Sequence, residues 1–211
     1  MAGDTLDPNR TCLLFFDTSR LFVNGPSLSP SGRRVGVGDA VRNWVRQARA
    51  ARQLDMMVAY AHTAQRSDQA NYYPRLMDRT EDMELYPPGV RRPMSRAIIG
   101  SPEVQVIDEI TPRPGDYMFW KERWDPWHQT TFELSLRRRG IDAIVVNGGS
   151  TEIGIAATAY GAHRLDFDFV VVSDGCTSEY PEDQAVLMNS IFPRIGRVRN
   201  TDQVLKMLGE P

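Results

Sequence analysis

The stretch Val145-Val-Asn-Gly-Gly-Ser-Thr-Glu-Ile-Gly-Ile-Ala-Ala-Thr-Ala-Tyr-Gly-Ala162 decides how the chain folds. Its start closes the apolar run that begins at Ile141, the pattern of a strand buried on both faces. Two glycines follow, and then a segment from Thr151 to Arg164 with the small and apolar spacing of a helix. A strand that passes through a glycine turn into a helix is where α/β proteins hold an anion, because the first N–H groups of the helix lack intrahelical acceptors.

Neither familiar phosphate device is present. Gly149 and Gly154 occupy the first and sixth positions of G-x-x-x-x-G-K-[ST], but Ile155 and Ala156 stand where the lysine and hydroxyl must be. Gly148, Gly149 and Gly154 do not space as G-x-G-x-x-G, although Asp174 falls where a ribose-binding acid would. Nucleotide binding therefore has one match against two failures.

Outward from this unit, further strands are expected over 11–17, 54–63, 116–124, 166–174 and 196–200, each rich in apolar and β-branched or aromatic residues. Helices are expected over 38–53, capped by Asp39, and over 126–140, with Phe132, Leu134 and Leu136 inward and Gly140 closing it. Two more are expected over 181–195, opened by Pro181, and over 201–208, with Thr201 at its start. Residues 101–110 read as a short helix or strand. Residues 64–97 form a long connection of the kind used as a lid or an oligomer contact. Alternating strands and helices, with no repeat and no boundary signal, predict one α/β domain over 1–211 with a parallel sheet covered on both faces.

Charge and cysteine content narrow the function. A net charge of −2, from 25 basic and 27 acidic residues, gives no electrostatic reason to expect nucleic acid or a membrane surface. The first ten residues are polar and the following CLLFF is too short for a signal or a span, so a cytoplasmic location is expected. Two cysteines, Cys12 and Cys176, make no disulfide framework, and three histidines, His62, His128 and His163, show no metal spacing. No cofactor or metal is expected.

Ligands of open α/β sheets bind beyond the carboxyl ends of the strands. The polar residues there are Asp17, His62, Lys121, the Gly148–Gly154 turn and Asp174. A carboxylate and an amine converging on a helix N-terminus form a plausible site, and spacing alone leaves a structural ion pair equally open. Glu152, in the first helical turn, is open as a second acid/base or as a charge favourable to the helix dipole. Trp124 and Trp127 are open as pocket walls for a planar substrate or as core, and Arg91, Arg92 and Arg96 as carboxylate binders or solvated loop residues.

Four segments in order resemble the isochorismatase-like (cysteine hydrolase) superfamily. LLFFDTSRLFV is similar to its first strand and Asp; DYMFWKERWDPWHQTTFELSLRRRGIDAIVVNGG to its lysine-bearing strand and next strand; GGSTEIGIAATAYGA to its G-V-x-T-N-x-C turn; and DFDFVVVSDGCTS to the strand ending in Asp-Ala. The resemblance implies a three-layer α/β/α domain with a mainly parallel six-stranded sheet, assembled as a homodimer or homotetramer, and a cis peptide between Gly149 and Ser150. It makes Asp17 and Lys121 the first two members of an Asp–Lys–Cys triad and puts Gly154 on the cysteine. A branch of the family with glycine there cleaves vinyl ethers by acid catalysis with no thiol. The resemblance then implies a small-molecule hydrolase with Asp17 and Lys121 as catalytic groups, to which Glu152, a departure from the family's turn, is added for its place in the first helical turn. Gly149, Ser150, Thr151, Gly154, Trp124 and Trp127 would line the substrate, with Gly154 making room for it. The alternative is a ligand-binding protein without catalysis. Ser150-Thr151-Glu152 replaces that branch's Tyr-Ala-His, and Thr18-Ser19 its Met-Gln, so the substrate stays open.

Overall fold

A computed structural model describes residues 4–25, 37–72 and 95–209. Among them six strands form one sheet: β1 (Thr11–Phe16), β2 (Met57–Thr63), β3 (Tyr117–Lys121), β4 (Ala143–Gly149), β5 (Asp168–Thr177) and β6 (Arg197–Arg199). Their order is β3-β2-β1-β4-β5-β6, and every neighbouring pair is parallel. The helices are α1 (Arg20–Asn24), α2 (Val37–Gln53), α3 (Phe132–Arg138), α4 (Ala156–Arg164), α5 (Pro181–Val186) and α6 (Thr201–Met207).

The first strand shows why its apolar run is unbroken. Side chains alternate across a strand, and both faces of β1 are covered. Cys12, Leu14 and Phe16 pack with Phe132 and Leu136 of α3, Ala159 and Ala162 of α4, and Phe192. Leu13 and Phe15 pack with Trp44 and Ala48 of α2 and with Val204 and Met207 of α6. The sheet is thus the middle layer of three. Its order reverses between β1 and β4, the kind of switch point at whose carboxyl ends open α/β sheets bind ligands.

Several boundaries differ from expectation. Asp39 lies inside α2, which begins at Val37, and pairs with Arg42 one turn on, so it does not cap the helix. Leu134 is exposed, because two residues of helix turn it away from Phe132 and Leu136. As expected, α6 is capped and starts at Thr201; its cap is Asn200, whose side chain accepts from the Gln203 N–H while the Gln203 side chain accepts from the Asn200 N–H. Residues 101–110 form two 3-10 turns, Pro102–Val104 and Asp108–Ile110. The segment after Pro181 is α5 for one and a half turns, then a π turn at Leu187–Ile191 and a 3-10 turn at Phe192–Arg194. The expected lid over 64–97 falls largely outside the described residues.

The longest strand, β5, continues past Asp174 to Thr177, with a register shift against β4 between Val146 and Gly148. Side chains of α2 meet the backbone there: Asn43 Nδ2 donates to the Asp174 carbonyl at 2.9 Å and Trp44 Nε1 to the Gly175 carbonyl at 2.6 Å. Below them the buried Asn147 and Gln47 exchange two amide hydrogen bonds, at 2.9 and 3.0 Å. Gln47 Nε2 also donates to Thr201 Oγ1 at 3.1 Å, and Thr201 Oγ1 donates to Asp174 Oδ1 at 2.8 Å. This polar chain ties α2, β4, β5 and α6 together. Asp174, singled out in the sequence as a possible ribose ligand, spends its carboxylate on the start of α6.

Gln47→Leu removes both amide partners of the buried Asn147. A buried amide left unpartnered costs about 1–3 kcal/mol, and urea denaturation is expected to show that loss as a lower midpoint with an unchanged slope. An unchanged midpoint would show that the chain carries no stability.

Candidate functional site

Three adjacent strands deliver the polar residues of the site. β1 ends at Phe16, and Asp17 follows in the left-handed region at φ +50°, while its N–H still bonds the Ala61 carbonyl of β2 at 2.9 Å. Thr63 ends β2 and Lys121 ends β3, and the two are register partners. They therefore share one face, and their side chains meet Asp17. Lys121 Nζ donates to Asp17 Oδ2 at 2.8 Å and to Thr63 Oγ1 at 2.5 Å. Thr63 Oγ1 donates to Asp17 Oδ2 at 3.0 Å, and the Thr63 N–H donates to Oδ1 at 2.6 Å. The pair is almost dry: Lys121 is 1% exposed and Asp17 8%. Burial pulls the Lys121 ammonium below its ordinary pKa, and the Asp17 carboxylate opposes that pull.

The turn after β4 completes the site. The Gly149–Ser150 peptide is cis. Gly148 sits at φ +116°, and a Cβ there would lie 1.9 Å from the Phe16 carbonyl oxygen, so no larger residue fits. Thr151–Ile155 then forms a π turn that runs into α4. Thr151 is fully buried and its Oγ1 donates to the Thr177 carbonyl at 2.9 Å. Gly149 packs against the Thr177 side chain, whose Oγ1 would be 2.2 Å from a Cβ. The Ser150 carbonyl accepts from the N–H groups of Ile153 and Ile155.

Gly154 overturns one expectation. It does not open space for a substrate. A Cβ at this position would come within 2.1 Å of Phe16 Cε1 and 2.5 Å of Cζ, so the Phe16 ring already holds the volume. The same ring has Lys121 Nζ over it, 4.0 Å from its centroid.

The other residues singled out lie elsewhere. Glu152 turns to the segment after β5: Ser178 Oγ donates to its Oε2 at 2.8 Å and the Glu179 N–H to its Oε1 at 3.2 Å. Trp127 is core. Its indole stacks with Phe167, packs beside Phe132 and Gly161, and donates through Nε1 to the Thr158 carbonyl at 3.1 Å. Trp124 is exposed. Alternation turns His62 away from Asp17: fully buried, it shares a hydrogen bond with Thr18 Oγ1 at 3.2 Å through Nε2, and Nδ1 lies 3.3 Å from the Val104 carbonyl. Burial holds His62 below its ordinary pKa. Arg96 is exposed, and Arg91 and Arg92 lie outside the described residues.

Cys12 lies inside β1 and Cys176 inside β5, both buried, and burial pushes both thiols far above the ordinary range. A thiolate, the nucleophilic form, is therefore disfavoured at both places. Among the described residues, no group of three or more His, Cys, Asp or Glu side chains is placed to hold a metal ion, and no helix is long and apolar enough to cross a membrane. Two members of the site, Thr63 and Phe16, escape the sequence reading. The signal for Thr63 was its place at the end of β2, one residue beyond the more conspicuous His62.

Comparison with known proteins adds the family. The curated relative YecD of Escherichia coli O157:H7, an uncharacterized isochorismatase family protein, is 43% identical over 88 residues, 42% of this chain and 47% of YecD. The match thus spans about half the length of that curated relative. A probable isochorismatase of Pseudomonas chlororaphis is 25% identical over 206 residues, covering 97% of this chain and 89% of that protein. The structure of an isochorismatase family protein from Burkholderia thailandensis superposes with a TM-score of 0.79 at 27% identity, covering 97% of this chain and 98% of the other. The family model described as the isochorismatase domain matches residues 11–203, so the chain belongs to the isochorismatase family of the cysteine hydrolase superfamily.

Proposed function

We propose that this protein is a hydrolase that cleaves a small-molecule vinyl ether by acid catalysis, without a covalent enzyme intermediate. The observation that carries the reading is the buried pair in which Lys121 Nζ stands 2.8 Å from Asp17 Oδ2. The ammonium–carboxylate form and the neutral amine–carboxylic acid form of such a pair differ by one proton moved along that hydrogen bond. Burial narrows the gap between them, because it penalises the Lys121 ammonium. Asp17 can thus receive the proton it must donate. Laid on the superfamily's turn, Gly154 takes the cysteine's place, and the buried thiols of Cys12 and Cys176 offer no substitute.

In this reading Asp17 gives its proton to the terminal vinyl carbon. The π pair of the double bond forms the new C–H bond, and a lone pair of the ether oxygen stabilises the resulting oxocarbenium ion. Water adds to the ether-bearing carbon of that ion and gives a proton back to the Asp17 carboxylate. The hemiketal then collapses: its C–O bond to the alcohol breaks, the alcohol oxygen takes up a proton, and a ketone and an alcohol leave. Lys121 holds Asp17 in place, lends it the proton before the step and takes it back once water has reprotonated Asp17, and the N–H groups at the start of the Thr151–Ile155 turn face the anionic part of the substrate. Glu152, bonded to Ser178 and Glu179, anchors the turn. The similarity to a probable isochorismatase along nearly the whole chain supports this class of substrate.

A second reading has an observation of its own. Both Asp17 oxygens are bonded within the protein, and the Phe16 ring fills the volume beside Gly154. Those contacts also suit a ligand-binding protein without turnover. Isochorismate separates the two: release of a keto acid and a diol is expected from the hydrolase, and binding alone would establish the second reading.

Asp17→Asn keeps the side chain's size but cannot donate the proton. General acid catalysis contributes about 10²–10⁴-fold, so kcat on isochorismate is expected to fall by that factor while the affinity measured by calorimetry changes little. Full turnover by this variant would remove Asp17 as the acid. The double variant Cys12→Ala/Cys176→Ala is expected to turn over at the wild-type rate. A loss of activity in protein that remains folded by circular dichroism would restore a thiol mechanism.

A further inference from the structure

The Lys121 ammonium has three close neighbours: Asp17 Oδ2 at 2.8 Å, Thr63 Oγ1 at 2.5 Å and the Phe16 ring, with its centroid at 4.0 Å. The first two are oxygens that can trade protons or hydrogen bonds with it. The third is a π face, which attracts a cation and cannot accept its proton. Phe16 is itself buried, one residue before Asp17 on the same strand. Its ring stands where a side chain at residue 154 would begin, so a glycine at 154 and an aromatic ring at 16 fit only as a pair.

We propose that Phe16 is the positioning residue of the Asp17–Lys121 pair, with its ring lodged against Gly154 so that its π face holds the Lys121 ammonium protonated and aimed at Asp17. The proposal rests on the reading of Lys121 as the proton partner of Asp17, and it deepens that reading. A π face stabilises only the charged amine, so it counters the desolvation that favours the neutral one. The ring thereby sets how readily the proton crosses to Asp17. Among the described residues, the charged or titratable groups that act on Lys121 are Asp17, beyond β1, and the neutral, buried His62 of β2.

The chain's composition makes a direct test available. Its only two lysines are Lys121 and the Lys206 of α6. In protein labelled with lysine carrying carbon-13 at Cε, NMR therefore follows two side chains through a pH titration, with Lys206 as internal control. Phe16 is replaced in turn by 4-fluoro, 3,5-difluoro and 3,4,5-trifluoro phenylalanine, which keep its shape and weaken the negative π face stepwise. The Lys121 midpoint is expected to fall with each fluorine, by roughly one pH unit at three, while Lys206 stays fixed. Phe16→Leu, which fills similar volume without a π face, is expected to lower it as well. Gly154→Ala, which drives the ring from its place, is expected to do the same. A Lys121 midpoint that stays put across the fluorine series and in Phe16→Leu overturns the proposal. This readout needs no substrate, so a failure to hydrolyse isochorismate would refute the proposed function and leave the role of Phe16 to be decided by the titration.

Discussion

The salt bridge between Asp17 and Lys121 is the constraint around which the carboxyl end of the sheet is arranged. Two opposite charges that are almost fully buried cost several kcal/mol each to strip of water, and their attraction offsets this only with good geometry and further hydrogen bonds. Here the offsets are visible. Thr63 supplies two donors to the carboxylate, and the Phe16 ring lies under the ammonium. Even so, burial lowers the lysine pKa. Between that lowered value and 10.5 the unfolded chain binds more protons than the folded one, so the contribution of Lys121 to stability is lost as pH falls through the folded value. At neutral pH the fold holds this ammonium at a cost. The pair lies at the carboxyl ends of the strands, where open α/β sheets bind their ligands.

The scaffold meets the geometric demand with ordinary means. Parallel register puts Thr63 and Lys121 side by side, and the left-handed residue Asp17 bends the chain so that its carboxylate reaches both. Gly148 lets β4 pass the Phe16 carbonyl at a distance no side chain would allow. On the opposite face the Gln47–Asn147–Thr201–Asp174 chain locks α2 and α6 to the strands that carry the turn. The supports of the site are backbone ladders and a buried polar network, not surface loops.

The sequence makes the layers legible for a physical reason: strands covered on both faces leave uninterrupted apolar runs, and TCLLFF and AIVV are such runs. It also makes Asp17, Lys121 and the glycine turn legible, since each stands at the carboxyl end of a run. What it hides depends on three-dimensional neighbours. The packing of Phe16 against Gly154 joins residues 138 positions apart, and no local pattern announces it. Trp127 stays open between pocket wall and core until its ring is seen against Gly161, and Asp174 keeps the place of a ribose-binding acid until β5 is seen to run past it. Glu152 is conspicuous by its charge, and its partners Ser178 and Glu179 lie on a segment whose approach only the fold reveals.

The central claim is that the Asp17–Lys121 pair delivers a proton to carbon, with water then attacking that same fragment. Isochorismate hydrolysed in deuterium oxide enriched in oxygen-18, quenched early and analysed by mass spectrometry, tests it most directly. The account predicts one deuterium in the methyl group of the keto acid and no oxygen-18 in the diol, whose oxygen is the original ether oxygen. Oxygen-18 in the diol would mean that water attacks the ring and expels an enol, which takes its deuterium only on later ketonisation, and would contradict protonation of carbon as the step this pair performs.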